Sequence, residues 1–101
     1  MILLKFDALL INDKDNVATA LREINENEEI LVGESRKTIK LIVFEKILFG
    51  HKVAIKDVKK GENIIKYGEI IGKATKEIPA GYHAHVHNIE SLRGRGDLER
   101  K

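Results

Sequence analysis

Lys52-Val53-Ala54-Ile55-Lys56-Asp57-Val58-Lys59-Lys60-Gly61-Glu62-Asn63-Ile64-Ile65-Lys66-Tyr67-Gly68 alternates short apolar runs with glycine-bearing turns. Runs this short, rich in Val and Ile and broken by glycine, read as strands joined by tight turns. The same punctuation extends in both directions. Apolar runs at 30–32, 39–44, 52–58, 63–67 and 83–89 are separated by Gly33, Gly50, Gly61, Gly68, Gly72 and Gly81. Two turns share a pattern, Asp57-Val58-Lys59-Lys60-Gly61 and Glu77-Ile78-Pro79-Ala80-Gly81, in which an acidic and an apolar residue precede two turn positions and a glycine. Glycine in that last place accepts φ > 0 without a Cβ clash, so the two read as related hairpin connections.

Upstream, residues 2–11 are dominated by Ile, Leu and Phe and are expected to form a strand. Asn12-Asp13-Lys14-Asp15-Asn16 then offers turn and capping chemistry before Val17, Leu21 and Ile24, which recur at helical spacing. The expectation is one short amphipathic helix over 17–24, capped by Asp15 or Asn16 and ended by Asn25-Glu26-Asn27-Glu28. The predicted fold class is therefore mainly β with one short helix. Downstream of residue 90, Arg93-Gly94-Arg95-Gly96-Asp97 and the charged residues after it argue for a flexible tail over 91–101 following a single domain over 1–90.

A chain of 101 residues has room for one core but seldom for a deep pocket as well, so a partner is plausible from size alone. Lys plus Arg (18) nearly balances Asp plus Glu (16), which leaves no broad electrostatic footprint for nucleic acid or anionic lipid. There is no cysteine, hence no disulfide or thiolate chemistry, and no apolar stretch long enough to span a bilayer. Lys5 and Asp7 interrupt the apolar N-terminus, unlike a signal peptide, and a cytoplasmic location is expected.

His83-Ala84-His85-Val86-His87-Asn88 places three of the four histidines at alternate positions. An extended segment here would aim all three imidazoles to one side and Ala84 and Val86 to the other. Neutral imidazole is the commonest metal ligand and also titrates near physiological pH, so the row suggests metal binding or acid-base work. On a straight strand His83 and His87 would start about 13 Å apart, too far to share a metal. One neighbouring pair is then the better ligand set, with a third ligand from another loop or chain. A solvated strand face is the bland alternative.

Gly50-His51-Lys52 sets a proton carrier and a positive charge beside a glycine, and Lys66-Tyr67-Gly68 repeats the arrangement with a phenol. Taken alone, each is as consistent with an exposed turn as with a site. No phosphate-cradling glycine motif, Ser-His-Asp signature or cysteine cluster is visible.

As a set, Gly50-His51-Lys52-Val53-Ala54-Ile55-Lys56-Asp57, Gly61-Glu62, Ile65-Lys66-Tyr67-Gly68-Glu69-Ile70-Ile71-Gly72 and Gly81-Tyr82-His83-Ala84-His85-Val86-His87-Asn88 closely resemble the N-terminal SAF domain of the altronate/galactarate dehydratase family. Asp15-Asn16-Val17-Ala18-Thr19-Ala20-Leu21 resembles that family's opening segment, so the likeness covers nearly the whole chain. The resemblance implies a β-clip, antifreeze-like module. It also implies a small subunit working with a large catalytic dehydratase subunit, with a homo-oligomer as the form in isolation. The implied activity is metal-assisted elimination of water from a sugar acid, by α-proton abstraction and β-elimination, with Fe2+ or else Zn2+ or Mn2+ as cofactor. A related branch eliminates sulfite from sulfolactate.

Carried over position by position, the resemblance makes His51, His85 and His87 candidate catalytic residues and His83, His85 and His87 candidate metal ligands. Lys52, Lys66, Tyr67 and Asn88 become candidate substrate-binding residues, and Ala84 stands where the family often has valine. The alternative from another class is a non-catalytic module that binds a sugar acid or a protein. Nucleic-acid binding through the Arg-Gly tail has the least support, given the small net charge and the lack of an aromatic stacking platform.

Overall fold

The computed structural model describes residues 6–33 and 38–91, and its strands fall between the turns. They are β1 (Ala8–Leu9), β2 (Val17–Ala20), β3 (Glu29–Gly33), β4 (Thr38–Ile42), β5 (Lys52–Ala54), β6 (Asn63–Lys66), β7 (Glu69–Ala74), β8 (His83–Ala84) and β9 (Ile89–Ser91). Six form one sheet in the order β4-β3-β1-β2-β5-β8, and β6-β7-β9 form a second. β1 and β3 run parallel, whereas the other strand pairings are antiparallel.

Two strands divide the interior. Val17 pairs with Ala54 and Ala18 with Val53 across β2 and β5. Paired residues project to the same face and neighbours along a strand to opposite faces. Val17 and Ala54 accordingly enter one apolar cluster with Val58, Ile64, Ala74, Ile78 and Ala84. Ala18 and Val53 enter the other, with Ala8, Leu10, Ile24, Ile30, Val32, Val43 and Ile47 among its members. Full burial of each such Val or Ile side chain contributes about 1.5–3 kcal/mol. The two clusters therefore hold the sheets together through β2 and β5.

That double burial corrects one expectation. Residues 17–24 do not form a helix, and no helix occurs among the described residues. A strand buried on both faces carries no alternation, so Val17-Ala18-Thr19-Ala20 has no period-2 signature. Val17 and Ile24 are buried, but Leu21, which completed the helical spacing, is 43% exposed. Pairing with β1 on one side and β5 on the other supplies the backbone partners that a helix would have supplied internally. The expected strand over 2–11 is likewise confined to Ala8–Leu9 among the described residues, with 1–5 outside them. The expected tail lies outside them from residue 92 onward.

The two turns of shared pattern belong to a set of four. The third residue of each turn accepts from the amide three positions on: Asn25 from Glu28, Leu48 from His51, Lys59 from Glu62 and Pro79 from Tyr82. Two positions after that acceptor, Asn27, Gly50, Gly61 and Gly81 adopt φ of 68°, 84°, 89° and 89°. The preceding apolar residues exchange backbone hydrogen bonds in pairs, Ile24 with Ile47 and Val58 with Ile78, and all four are buried to within 1%. Asparagine in place of glycine, and Lys46 in place of an acid before Ile47, hid the first two copies in the sequence. The second of these turns delivers His51, and the fourth delivers Tyr82 and His83.

Candidate metal centre

His51 leaves its turn at the start of β5, and β5 pairs with β8 through Lys52 opposite Ala84 and Val53 opposite His83. This register brings together two histidines 32 residues apart in sequence. His51 Nδ1 lies 2.9 Å from His83 Nε2. The ring of His85 sits 4.1 Å from that of His51 and 5.3 Å from that of His83, centroid to centroid.

β8 ends at Ala84, so the histidine row is not one extended ribbon. Residues 85–88 form a turn closed by the Asn88 amide donating to the carbonyl of His85. The buried Asn88 side chain staples it, its Oδ1 accepting from the His85 amide at 2.8 Å and its Nδ2 donating to the His83 carbonyl at 2.8 Å. The turn folds His85 back over His51 and sets His87 against His83, with ring centroids 5.1 Å apart and planes tilted by 36°. One ring nitrogen each from His51, His83 and His85 falls within 4.8 Å of the others. His87 is beside this group and exposed.

Two of the three imidazoles, His83 and His85, are biased towards the neutral form that ligates metal. Burial pushes the His83 pKa down to about 4, aided by positive charge on His87, His51 and His85 and opposed by Glu45. Glu45 also accepts from the His83 amide at 2.9 Å. Burial lowers the His85 pKa, with His51, Lys52 and His87 adding to it. Tetrahedral coordination with metal–nitrogen bonds of 2.0–2.1 Å requires donors about 3.3 Å apart. The 2.9 Å contact and the 4.8 Å limit bracket that spacing, and neutral imidazoles suit several divalent ions, so the donor set fits a metal. The rings lie within 17° of parallel, and a shared ion requires them to fan apart by side-chain rotation.

Lys52 projects to the face of Ala84, opposite to the face that His83 shares with Val53, and its charge still reaches His85. It is half-buried, and its pKa is lowered first by that burial and then by the charge of Lys66. Lys66 ends β6 with its Nζ 4.9 Å from the centroid of the Tyr67 ring. Tyr67 takes φ of 58°, unusual for a residue with a side chain. Asp15 holds it there: this buried carboxylate accepts from the amides of Tyr67 at 3.0 Å, Gly68 at 2.7 Å and Asn12 at 3.2 Å. Asp15 thus brackets a distant turn where a helix cap was expected. Asn16 continues the bracket, accepting from the Ile65 amide and donating to the Asn63 carbonyl.

The structure therefore gathers His51, His83 and His85 into one group with His87 beside it, and places Lys52 on β5 and the Lys66–Tyr67 pair at the end of β6, where the charge of Lys66 acts on Lys52. Asn88 shapes the turn from within. Sequence reasoning singled out His51 but did not join it to His83, and it missed the bracketing role of Asp15. The paired occurrence of a turn glycine just before His51 and before Tyr82-His83 was the available signal.

Comparison with known proteins adds lineage. Residues 6–92 match the family described as altronate/galactarate dehydratase SAF domain. Altronate dehydratase of Escherichia coli (strain K12) is 42% identical over 81 residues, which are 80% of this chain and 16% of that protein. The (2R)-sulfolactate sulfo-lyase subunit alpha of Chromohalobacter salexigens is 32% identical over 93 residues, 89% of this chain and 99% of that subunit. Galactarate dehydratase (L-threo-forming) of Escherichia coli (strain K12) is 39% identical over 71 residues, 70% of this chain and 13% of that protein. The chain thus spans only 16% of the length of the altronate dehydratases it matches, and nearly all of the sulfo-lyase subunit.

Proposed function

The chain belongs to the altronate/galactarate dehydratase SAF-domain family, and from that premise we propose that it is the small subunit of a metal-assisted lyase acting on a hydroxylated acid. The observation that carries this reading is the convergence of His51, His83 and His85 at the edge of β5 and β8. A large catalytic polypeptide completes the site. The partner reading is supported by relatives in which the same module is a fraction of a longer dehydratase or the alpha subunit of a sulfo-lyase.

The proposed reaction is loss of water from a sugar acid: a base removes the proton α to the carboxylate, and the β-hydroxyl leaves with a proton from an acid. When bound by His51, His83 and His85, a divalent ion supplies Lewis-acid stabilisation of the negative charge developing at the carboxylate. His87, outside that group and exposed, carries a proton to or from solvent. Lys52 and Lys66 attract the anionic substrate, and Asn88 keeps the histidine turn in shape. A second reading, elimination of sulfite from a sulfolactate-like acid, is favoured by the match over 99% of a sulfo-lyase subunit.

Among the described residues no helix is long and apolar enough to cross a membrane. Anaerobic affinity purification from the native cells, with mass spectrometry of what co-purifies, tests the partner. Recovery of a stoichiometric larger dehydratase-like chain is expected, and its repeated absence would favour a stand-alone binding module. In the assembled complex, His85→Ala should abolish turnover without loss of assembly. Normal turnover in that variant would remove His85 from the site.

A further inference from the structure

The two end strands of the six-stranded sheet, β4 and β8, meet beside the histidines. Just beyond β4 the Phe44 amide donates to the Gly81 carbonyl at 2.9 Å, and the Phe44 ring stacks on Tyr82 with centroids 5.4 Å apart. One residue further on, Glu45 Oε1 accepts from the His83 amide at 2.9 Å. The sheet thus curls until its edges touch, and this last contact joins a carboxylate to the backbone of a candidate metal ligand.

β8 has little else to hold it. It is two residues long, and its ladder with β5 consists of Lys52 opposite Ala84 and Val53 opposite His83. Alternate residues of an antiparallel edge strand turn their N–H and C=O away from the neighbouring strand, where by default they meet water. At His83 both outward groups are taken by side chains, the N–H by Glu45 and the C=O by Asn88 Nδ2 at 2.8 Å. Asn88 belongs to the histidine turn itself and moves with it. Glu45 comes from 38 residues away and ties the strand to the body of the fold. Its own place is fixed from both sides: Val43 and Ile47 are buried, Ile47 exchanges backbone hydrogen bonds with Ile24, and Lys46 pairs with Glu23 at 3.1 Å. A group held on so rigid a frame imposes its position on what it binds.

We propose that Glu45 is a positioning residue of the candidate metal centre, a latch on the seam between β4 and β8 that holds the His83 backbone where its Nε2 meets His51 Nδ1. This rests on the reading of His51, His83 and His85 as a metal site and adds a residue from outside that group. The hydrogen bond carries the role, and the charge does not. The side-chain oxygen of glutamine accepts from the His83 N–H in the same way, whereas alanine leaves that N–H to water. Because Glu45 acts on metal only through the position of His83, its removal costs less affinity than removal of a ligand.

The test compares the full chain with its Glu45→Ala, Glu45→Gln and Glu62→Ala variants. Glu62 makes a bond of the same kind, its Oε1 accepting from the Lys59 amide at 2.7 Å, in a turn that carries no histidine. Zn2+ affinity is read by competition with a chelator. The approach of the His51 and His83 rings is read in the metal-free chain, by nuclear Overhauser effects between their ring protons. Glu45→Ala should weaken Zn2+ binding by about tenfold and lose the ring contact. Glu45→Gln should keep the ring contact and stay within about threefold of the wild type in affinity. Glu62→Ala should lower the melting temperature and move neither readout. Wild-type affinity and ring contact in Glu45→Ala overturn the latch. So does a Glu45→Gln variant as weak as Glu45→Ala, because the loss then follows the charge, and so does an equal loss in Glu62→Ala, which would make the effect one of general stability. Failure of the wild-type chain to bind Zn2+ overturns the metal reading instead, and the ring contacts of the metal-free variants still decide the latch.

Discussion

His51 Nδ1 lies 2.9 Å from His83 Nε2 because Val53 and His83 are partners in the β5–β8 ladder. The contact is thus a consequence of strand register, and the register is set by Val53 entering one core and Ala54 the other. A one-residue slip would exchange those faces and separate the rings. The histidine cluster is therefore coupled to the packing of both apolar clusters.

Metal binding should depend on the histidines unequally. His51→Ala removes a donor of the converging group and should weaken Co2+ or Zn2+ binding by about a hundredfold or more. His87→Ala leaves that group intact and should weaken it less than tenfold, as expected for a neighbouring group. Competition against a chromophoric chelator measures both. Equal losses in the two variants would place His87 among the ligands.

Acid should loosen the metal-free fold through His83. Its pKa is depressed to about 4 in the folded chain from an ordinary value of 6.5, so between those limits the unfolded state binds more protons. Stability from this group is complete above about 6.5 and falls as pH drops through the window towards 4. Denaturant midpoints of the metal-free chain at pH 7, 5.5 and 4.5 should decline in that order, and His83→Gln should flatten the decline. An unchanged slope in His83→Gln would assign the acid sensitivity to other groups.

Much of the fold was legible, and what was missed has a physical cause. Gly61 and Gly81 announced their turns because only a residue tolerant of positive φ fits there. Asn27 does the same work without being glycine, so its turn passed unnoticed. β2 was misread because burial on both faces erases alternation and leaves Val17 and Ile24 at a spacing that imitates a helix. The histidine row advertised chemistry, but the turn closed by Asn88 and the partnership of His51 with His83 depend on long-range pairing that local pattern does not carry.

Asp15 should stabilise the chain through its charge distribution and not through size. Asp15→Asn keeps the volume but turns an amide NH2 towards backbone N–H groups of Asn12, Tyr67 or Gly68, leaving at least one of these donors without an acceptor. The loss should be about 1–3 kcal/mol by urea denaturation. Amide exchange at Tyr67 and Gly68 should accelerate ahead of exchange in β2. Uniform acceleration throughout the chain would argue against a local bracket.

The four turns offer a matched comparison. Gly61 and Gly81 share a φ of 89°, so alanine at either site meets the same backbone penalty. Around Gly61 a new Cβ meets open space, whereas at Gly81 it collides with the carbonyl oxygen of Ile42 and presses on the ring of Phe44. Gly61→Ala should therefore cost about 1 kcal/mol. Gly81→Ala should cost this plus the displacement of Ile42 and of Phe44, which stacks on Tyr82 just before His83. It should also weaken Zn2+ binding, while Gly61→Ala leaves metal affinity unchanged. Equal stability losses at the two glycines would show that the close approach at Gly81 relaxes freely and that the turn does not fix the histidine edge.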